Sequence, residues 1–221
     1  MLRNFIKKIT HPFLKAIAKI YFYKPRKYSY KGVTALVHPE VFPPHYTLST
    51  KILLDYIEEL NLKNNSFLEL GCGSGIISLF AASKGAKVTA TDINEKALEY
   101  LLKSSEINKL SIDIIHSDLF TNLPSKPFDY IIINPPYYSK NPKNTKEHAW
   151  FCGENFEYFK KLFQQLAQRS DKNVFMILSE DCQLDQIKYI ASDNFKNLTC
   201  ILEKTVMKET NFIYSIQTID K

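Results

Sequence analysis

The chain has 221 residues, 45% of them hydrophobic, and a formal net charge of +6. This length allows one packed domain with a short extension and excludes two catalytic domains in tandem. The cysteines show no Cys-x-x-Cys spacing, which disfavours a zinc site or a disulfide framework, so we expect no metal and reduced thiols in a cytoplasmic protein.

The first 31 residues form a basic arm that carries nine positive charges and no acid. The remaining 20 basic and 23 acidic residues give the rest of the chain a net charge of −3. Apolar residues at helical spacing between Leu2 and Ile20 predict an amphipathic helix, with no stretch suited to a signal peptide or a membrane span. Two roles stay open: packing on the domain, or a basic surface for RNA, the ribosome or anionic lipid.

The next segments predict a short strand or hairpin at residues 28–37 and an irregular proline-rich stretch at 38–44. We therefore assign residues 1–44 to a helical arm with a hairpin, and residues 45–221 to a catalytic domain. A helix is predicted from Leu48 to Leu60, with Ser49 or Thr50 capping its start.

From residue 66 onward, apolar runs of strand length alternate with helical patterns. Strands are predicted at 67–70, 87–91, 112–115, 130–133 and 174–178, and helices at 76–83, 94–107, 156–167 and 184–191, with Asn94 as a cap. Residues 198–205 and 211–218 predict a closing antiparallel hairpin. This alternation predicts an α/β fold around a mostly parallel sheet.

A glycine-rich loop joins the first predicted strand of this sheet to the helix that follows. The segment Glu69-Leu70-Gly71-Cys72-Gly73-Ser74-Gly75 lies where open α/β sheets bind ligands. Its Gly-x-Gly-x-Gly spacing differs from the Gly-x-Gly-x-x-Gly of dinucleotide-binding loops. The loop has an acid before it and no lysine within it, which favours a positively charged ligand over a phosphate. Asp92, at the end of the next strand, is suitably placed to accept ribose hydroxyls.

These features resemble the class I S-adenosylmethionine-dependent methyltransferase family. The resemblance implies a Rossmann-like, doubly wound, mostly parallel seven-stranded sheet that ends in an antiparallel hairpin strand, with S-adenosylmethionine as cofactor. It also implies that the cofactor-binding residues are Glu69, Gly71, Gly73, Gly75, Asp92, Ile93, Asp118, Leu119 and Asn134.

A second motif, Asn134-Pro135-Pro136-Tyr137, ends the strand at 130–133. An amide or adenine NH₂ group has a delocalised lone pair, so it must be drawn toward tetrahedral geometry before it attacks a methyl sulfonium. Two hydrogen-bond acceptors, one for each N–H, would hold the nitrogen in this geometry and in position for attack. The Asn134 side-chain oxygen and the Pro135 carbonyl are the natural pair of acceptors. Tyr137 is expected to stack on the planar group.

The motif matches that of methyltransferases acting on release-factor glutamine side chains and on adenine N6 in DNA or RNA. Residues 43–50 and the closing hairpin are similar to small glutamine methyltransferases, although Ser49 replaces the usual acid. Lysines at 140, 143 and 146, beside aromatic residues, favour RNA instead. Glutamine of a translation factor or ribosome-associated protein is the preferred acceptor; an RNA base is the alternative. A cofactor-binding recruitment module and a nicotinamide-dependent oxidoreductase are the remaining possibilities.

Overall fold

The computed structural model describes residues 23–219, so the predicted helix of the basic arm lies outside the described residues. The first described elements are β1 (Arg26–Tyr30) and β2 (Val33–Val37), which pair antiparallel. This confirms the hairpin predicted at residues 28–37. Val33 and Ala35 are buried in the core of the domain, so the hairpin packs on the main body. The domain division at residue 44 stays a prediction.

A seven-stranded sheet forms the centre of the molecule. Its strands are β3 (Ser66–Leu70), β4 (Lys87–Asp92), β5 (Ile112–His116), β6 (Tyr130–Ile133), β7 (Asn173–Ser179), β8 (Lys196–Val206) and β9 (Glu209–Thr218). They lie in the order β5-β4-β3-β6-β7-β9-β8. Strands β3 to β7 are parallel, and β9 runs antiparallel to both neighbours. The predicted fold and closing hairpin are therefore confirmed.

Within residues 23–219, five α-helices precede or connect these strands: α1 (Leu48–Glu58), α2 (Ile76–Ser83), α3 (Glu95–Asn108), α4 (Glu157–Ala167) and α5 (Leu184–Asp193). Short 3-10 helices occupy Pro44–Tyr46 and Thr145–Ala149. The predicted cap of α3 is confirmed, because the Asn94 side chain accepts a hydrogen bond from the Lys96 backbone N–H at 3.0 Å.

The predicted cap of α1 is wrong. Its N-cap is Thr47, which makes no side-chain capping hydrogen bond, and Ser49 and Thr50 already lie inside the helix. Their hydroxyls have other partners: Ser49 accepts from Asn134, and Thr50 contacts the Thr47 hydroxyl. Short polar side chains at a helix start are capping candidates by sequence alone, whereas tertiary contacts decide which one caps.

Apolar side chains cover both faces of the sheet, in two large clusters. Helix α4 shows how the sequence produces this packing, because its buried residues Phe159, Leu162, Phe163 and Leu166 follow the spacing of one helical face. The chain order reverses between β3 and β6, so the carboxyl ends of four parallel strands meet around one crevice. We call this end of the strands the carboxyl edge, and the opposite end the amino edge.

Candidate active site

A cavity of about 450 Å³ lies at the carboxyl edge. Most of the residues predicted for cofactor and substrate line it: Glu69, Gly71, Gly73, Asp92, Ile93, Asp118, Leu119, Asn134 and Pro136. Gly75, Pro135 and Tyr137 are not in its lining. The glycine loop and the Asn-Pro-Pro-Tyr motif therefore share one cavity, although Gly75 and Asn134 are 59 residues apart in the sequence.

The glycine loop is a tight turn joined to the end of β4. The backbone N–H groups of Gly71 and Cys72 donate to the Thr91 carbonyl at 2.9 and 2.7 Å. Gly71, Gly73 and Gly75 have φ values of 79°, 50° and 70°, a region that favours glycine. The alternating glycines thus allow a compact backbone at the cavity wall.

Gly75 has a packing role in this loop. A Cβ added there would lie 2.4 Å from Leu101 Cδ1, whereas a Cβ on Gly71 would meet no atom within 4 Å. Gly75→Ala should therefore lower the free energy of unfolding by clearly more than Gly71→Ala, which bears only the left-handed backbone cost of about 1–2 kcal/mol. Urea denaturation of both variants measures the difference. Equal losses would show that the Leu101 contact does not constrain this glycine.

Asp92 fastens the glycine loop to β4. Its carboxylate accepts from the Gly73 N–H at 2.8 Å and from the Asn94 N–H at 2.9 Å. Burial raises the pKa of this carboxyl group, and backbone hydrogen bonds oppose that effect. Asp92 thus combines a structural function with its position in the cavity wall, where Ile93 follows it.

Glu69 is only 5% exposed, and its carboxylate serves the start of α2. It accepts a hydrogen bond from the Ser78 N–H at 2.8 Å and another from the Ser78 hydroxyl. Because the N-cap of α2 is Gly75, which has no side chain, Glu69 satisfies a helix N–H that would otherwise lack a partner. When Glu69 is ionised, its negative charge also interacts favourably with the helix dipole. Burial nevertheless raises the pKa of Glu69 to about 8.

This raised pKa predicts a pH dependence of stability. Between the ordinary Glu value of 4.5 and about 8, the carboxyl ionises in the unfolded chain but stays protonated in the folded one. The folded state then binds more protons, so the free energy of unfolding should fall as pH rises through this window. In Glu69→Gln, urea titrations between pH 5 and 8 should show a shallower decline. An unchanged slope would contradict the shifted pKa.

Asp118 and Leu119 follow β5 and form another wall of the cavity. Leu119 is buried and has a φ of 54°. The Asp118 carboxylate pairs with the Lys161 ammonium, which comes from α4. Lys161 and Tyr158, one turn earlier on that helix, both line the cavity. The sequence carries no signal for these two residues, because a helix in this position could present any of its faces.

Asn134 comes directly after β6 and faces the cavity. Its side-chain nitrogen donates to the Ser49 hydroxyl at 3.4 Å, which leaves the amide oxygen available as an acceptor. Tyr137 instead packs against the apolar core with its ring centroid 4.8 Å from that of Tyr138. Burial raises the pKa of the Tyr137 phenol. The structure thus does not bring Tyr137 or the Pro135 ring to the cavity wall.

The segment after the Asn-Pro-Pro-Tyr motif covers the cavity. Phe42 and Trp150 lie with ring centroids 4.7 Å apart, and Lys146 donates to the Pro39 carbonyl at 2.8 Å. Phe42 also contributes to the lining, together with Phe151 and His148. These contacts join residues about a hundred positions apart, so neither local pattern nor composition indicates them.

The residues that line the cavity suit a cationic, partly apolar ligand. Two acids, the buried Glu69 and the partly exposed Asp92, lie at one part of the wall, and most of the remaining lining is apolar. The one lysine in the lining, Lys161, is already paired with Asp118. Within residues 23–219 there is no His, Cys, Asp and Glu cluster that would hold a metal ion, and no helix is long and apolar enough to cross a membrane.

Comparison with known proteins identifies the family. The model described as "Methyltransferase small domain" matches residues 33–152, more than half of the chain. The chain is 39% identical over 110 residues to a Methanocaldococcus jannaschii protein named as an N5-glutamine methyltransferase, covering 48% of this chain and 52% of that protein. It is 32% identical over 139 residues to the ribosomal RNA small subunit methyltransferase C of Haemophilus influenzae, covering 62% and 37% respectively.

The chain thus spans about half, or less, of the length of these two relatives. Among solved structures, it is similar to a chain of the E. cuniculi Mtq2–Trm112 complex, with a TM-score of 0.63 and 18% identity. That superposition covers 81% of this chain and 99% of the other, and it supports the fold alone. The glycine loop and the sheet order agree with the family match, and the chain belongs to the methyltransferase small domain family.

Proposed function

We propose that the chain is an S-adenosylmethionine-dependent N-methyltransferase that acts on a planar NH₂ group. The observation that carries this proposal is the position of Asn134 in the same cavity as Glu69, Asp92 and Asp118. A methyl acceptor held by Asn134 would then lie beside a ligand held by the glycine loop. This mechanism works by positioning the acceptor, so it does not require any residue of the described chain to act as a strong base.

The proposed roles follow from the chemistry of each group. The cofactor supplies an electrophilic methyl group on a sulfonium. Asp92 would hold ribose hydroxyls, and Glu69 would lie near the positive charge of the amino-acid part. Ile93 and Leu119 would contact the adenine, with Asp118 at its edge. The Asn134 side-chain oxygen would accept a hydrogen bond from one N–H of the acceptor NH₂, and the Pro135 carbonyl would accept from the other. Pro135 is not in the cavity lining, so its carbonyl would have to turn toward the bound acceptor. As the N–CH₃ bond forms, the S–CH₃ bond would break to leave a neutral thioether, and one N–H proton would pass to solvent.

Tyr137 is not placed to stack on an acceptor in the cavity. Its ring packs on the core in the described structure, so stacking would need a rotation of the side chain or another ring. Phe42 and Phe151 line the cavity and offer apolar surface without such a change. We propose that these two rings take over part of the contact with the planar group.

A glutamine side chain of a translation factor or ribosome-associated protein is the acceptor we favour. The M. jannaschii relative is named for this activity, and the E. cuniculi complex is described as responsible for methylation of a translation termination factor. An RNA base is the second candidate, because the H. influenzae relative acts on ribosomal RNA. Two of the lysines that favoured an RNA acceptor in the sequence have other contacts. The Lys146 ammonium donates to the Pro39 carbonyl, and the Lys140 ammonium lies over the Phe151 ring. A cytoplasmic location and a contact of the basic arm with RNA or ribosomes are parts of the same proposal.

The acceptor class is tested by incubating the protein with methyl-labelled S-adenosylmethionine and a cell lysate. Separate protease and nuclease digestions of the labelled fraction then identify the acceptor. Label that is released by protease and resists nuclease supports glutamine, whereas label lost only to nuclease selects the RNA base. An absence of label, despite measurable cofactor binding, would contradict the proposed methyltransferase activity and favour a cofactor-binding recruitment module.

A further inference from the structure

The amino edge of the sheet carries a row of exposed lysines. Each parallel strand from β3 to β6 begins at or shortly after a lysine, and five of these side chains form what we call the lysine row: Lys63, Lys84, Lys87, Lys109 and Lys126. All five are exposed, and none forms an ion pair with another residue of the described chain. They come from four different loops, so no local sequence run produces the row.

The sheet order brings these loops side by side. Across β5, β4, β3 and β6 the row begins at Lys109, continues through Lys84 and Lys87 to Lys63, and ends at Lys126. Neighbouring strands lie about 4.8 Å apart, so four of them span roughly 15 Å. Phosphates repeat about every 3.4 Å along one strand of a nucleic acid helix, so several phosphates fit along this length.

Backbone hydrogen bonds between the loops hold the row in place. The Asn64 N–H donates to the Gly85 carbonyl at 2.9 Å, and the Lys87 N–H donates to the Asn65 carbonyl at 2.8 Å. On the other side, the Asp129 N–H donates to the Ser66 carbonyl at 3.1 Å. The ammonium groups therefore project from an ordered framework, which lowers the entropic cost of binding a regular array of charges.

The acids of the cavity and the lysine row lie at opposite ends of the strands. The acids Glu69, Asp92 and Asp118 lie at the carboxyl edge, and the chain beyond residue 31 has a net charge of −3. Two acids of the amino edge, Asp129 and Asp171, are paired with Lys172 and Arg169. Glu59 and Glu106 flank the row at the ends of α1 and α3, and Asp113 lies near the start of β5; all three remain exposed. The row is thus a basic strip on an otherwise mildly acidic body.

We propose that the lysine row binds the phosphate backbone of RNA and anchors the domain there. A phosphate backbone suits a line of separate cations, whereas lysine is depleted at the centres of protein–protein interfaces. The row and the cavity lie at opposite ends of strands of four to six residues, so RNA on the row does not enter the cavity. The anchor therefore goes beyond the proposed function and applies whether the acceptor is glutamine or a base.

The test compares two triple variants of the full chain. Lys63, Lys87 and Lys126 become Gln in the first; exposed Lys160, Lys188 and Lys208, which also lack an ion pair in the described chain, become Gln in the second. The two variants have the same net charge. Fluorescence anisotropy with a labelled 20-nucleotide oligouridine RNA at 50–200 mM salt gives the affinity and its salt dependence, and a thermal melt confirms that both variants fold.

The first variant should bind the RNA about tenfold or more weakly at 100 mM salt. Its slope of log K against log salt should be smaller by about 2, since each lost phosphate contact on a single strand removes about 0.7. The second variant should keep most of the slope of the unmodified protein. Equal slopes in the two variants would overturn the proposal. Binding to phosphatidylserine vesicles is measured as well, and a first variant that loses vesicle binding but keeps RNA binding would also overturn it. S-Adenosylhomocysteine binding should be unchanged in both variants, which separates failure of the anchor from failure of the proposed function.

Discussion

Asn134→Ala should lower the turnover of methyl transfer by about two to three orders of magnitude while S-adenosylmethionine still binds. This is the magnitude expected when one positioned hydrogen-bonding group is removed from a site that works by orientation. The cavity wall around the glycine loop does not depend on Asn134, whose side-chain nitrogen donates to the Ser49 hydroxyl. The affinity for S-adenosylhomocysteine, measured by calorimetric titration, should therefore change by no more than a few-fold.

Asn197→Ala is the matched control, because this exposed asparagine lies in β8 at the far edge of the sheet. It should retain full turnover. Asn134→Asp is informative as well, since it keeps an acceptor oxygen but adds a charge, so it should be less impaired than Asn134→Ala. Full turnover in Asn134→Ala would exclude the proposed mechanism.

Asp92→Ala should affect both cofactor binding and stability. The substitution removes the acceptor of the Gly73 and Asn94 N–H groups, and a buried donor without a partner costs about 1–3 kcal/mol. Loss of the proposed ribose contacts should weaken S-adenosylhomocysteine binding by about ten- to a hundredfold, the range of a hydrogen bond to a charged group. Urea denaturation and calorimetric titration measure the two effects separately.

Asp92→Asn keeps one acceptor oxygen and nearly the same shape. It should therefore fold more stably than the alanine variant and bind the cofactor with intermediate affinity. If Asp92→Asn and Asp92→Ala both bind S-adenosylhomocysteine as tightly as the unmodified protein, Asp92 does not contact the cofactor. A loss of stability without a loss of affinity would restrict its function to fastening the loop.

The sequence indicates the fold well because each strand and helix of the sheet has a clear period and clear boundaries. Asn94, for example, is both the predicted and the observed cap of α3. It indicates the carboxyl-edge residues equally well, since the ends of parallel strands must meet at one edge. Asp92 and Asn134 follow from this rule, whereas Glu69 and Asp118 come from the resemblance to the methyltransferase family.

Features that depend on tertiary contacts are not indicated by local pattern. The rotation of α4 brings Tyr158 and Lys161 to the cavity, and the pairing of Phe42 with Trp150 covers it. Gly75 belongs to the predicted loop, yet its packing against Leu101 depends on how α3 lies on α2. The lysine row likewise becomes visible only when the strand order is known.

The most direct test of the proposed cofactor is a calorimetric titration of the full chain with S-adenosylmethionine, with NAD titrated in parallel. We expect saturable one-to-one binding of S-adenosylmethionine and no measurable binding of NAD. The Gly-x-Gly-x-Gly loop, the acids Glu69 and Asp92 and the absence of an unpaired lysine in the described cavity all favour a cationic ligand over a pyrophosphate. Saturable binding of NAD without binding of S-adenosylmethionine would contradict this account.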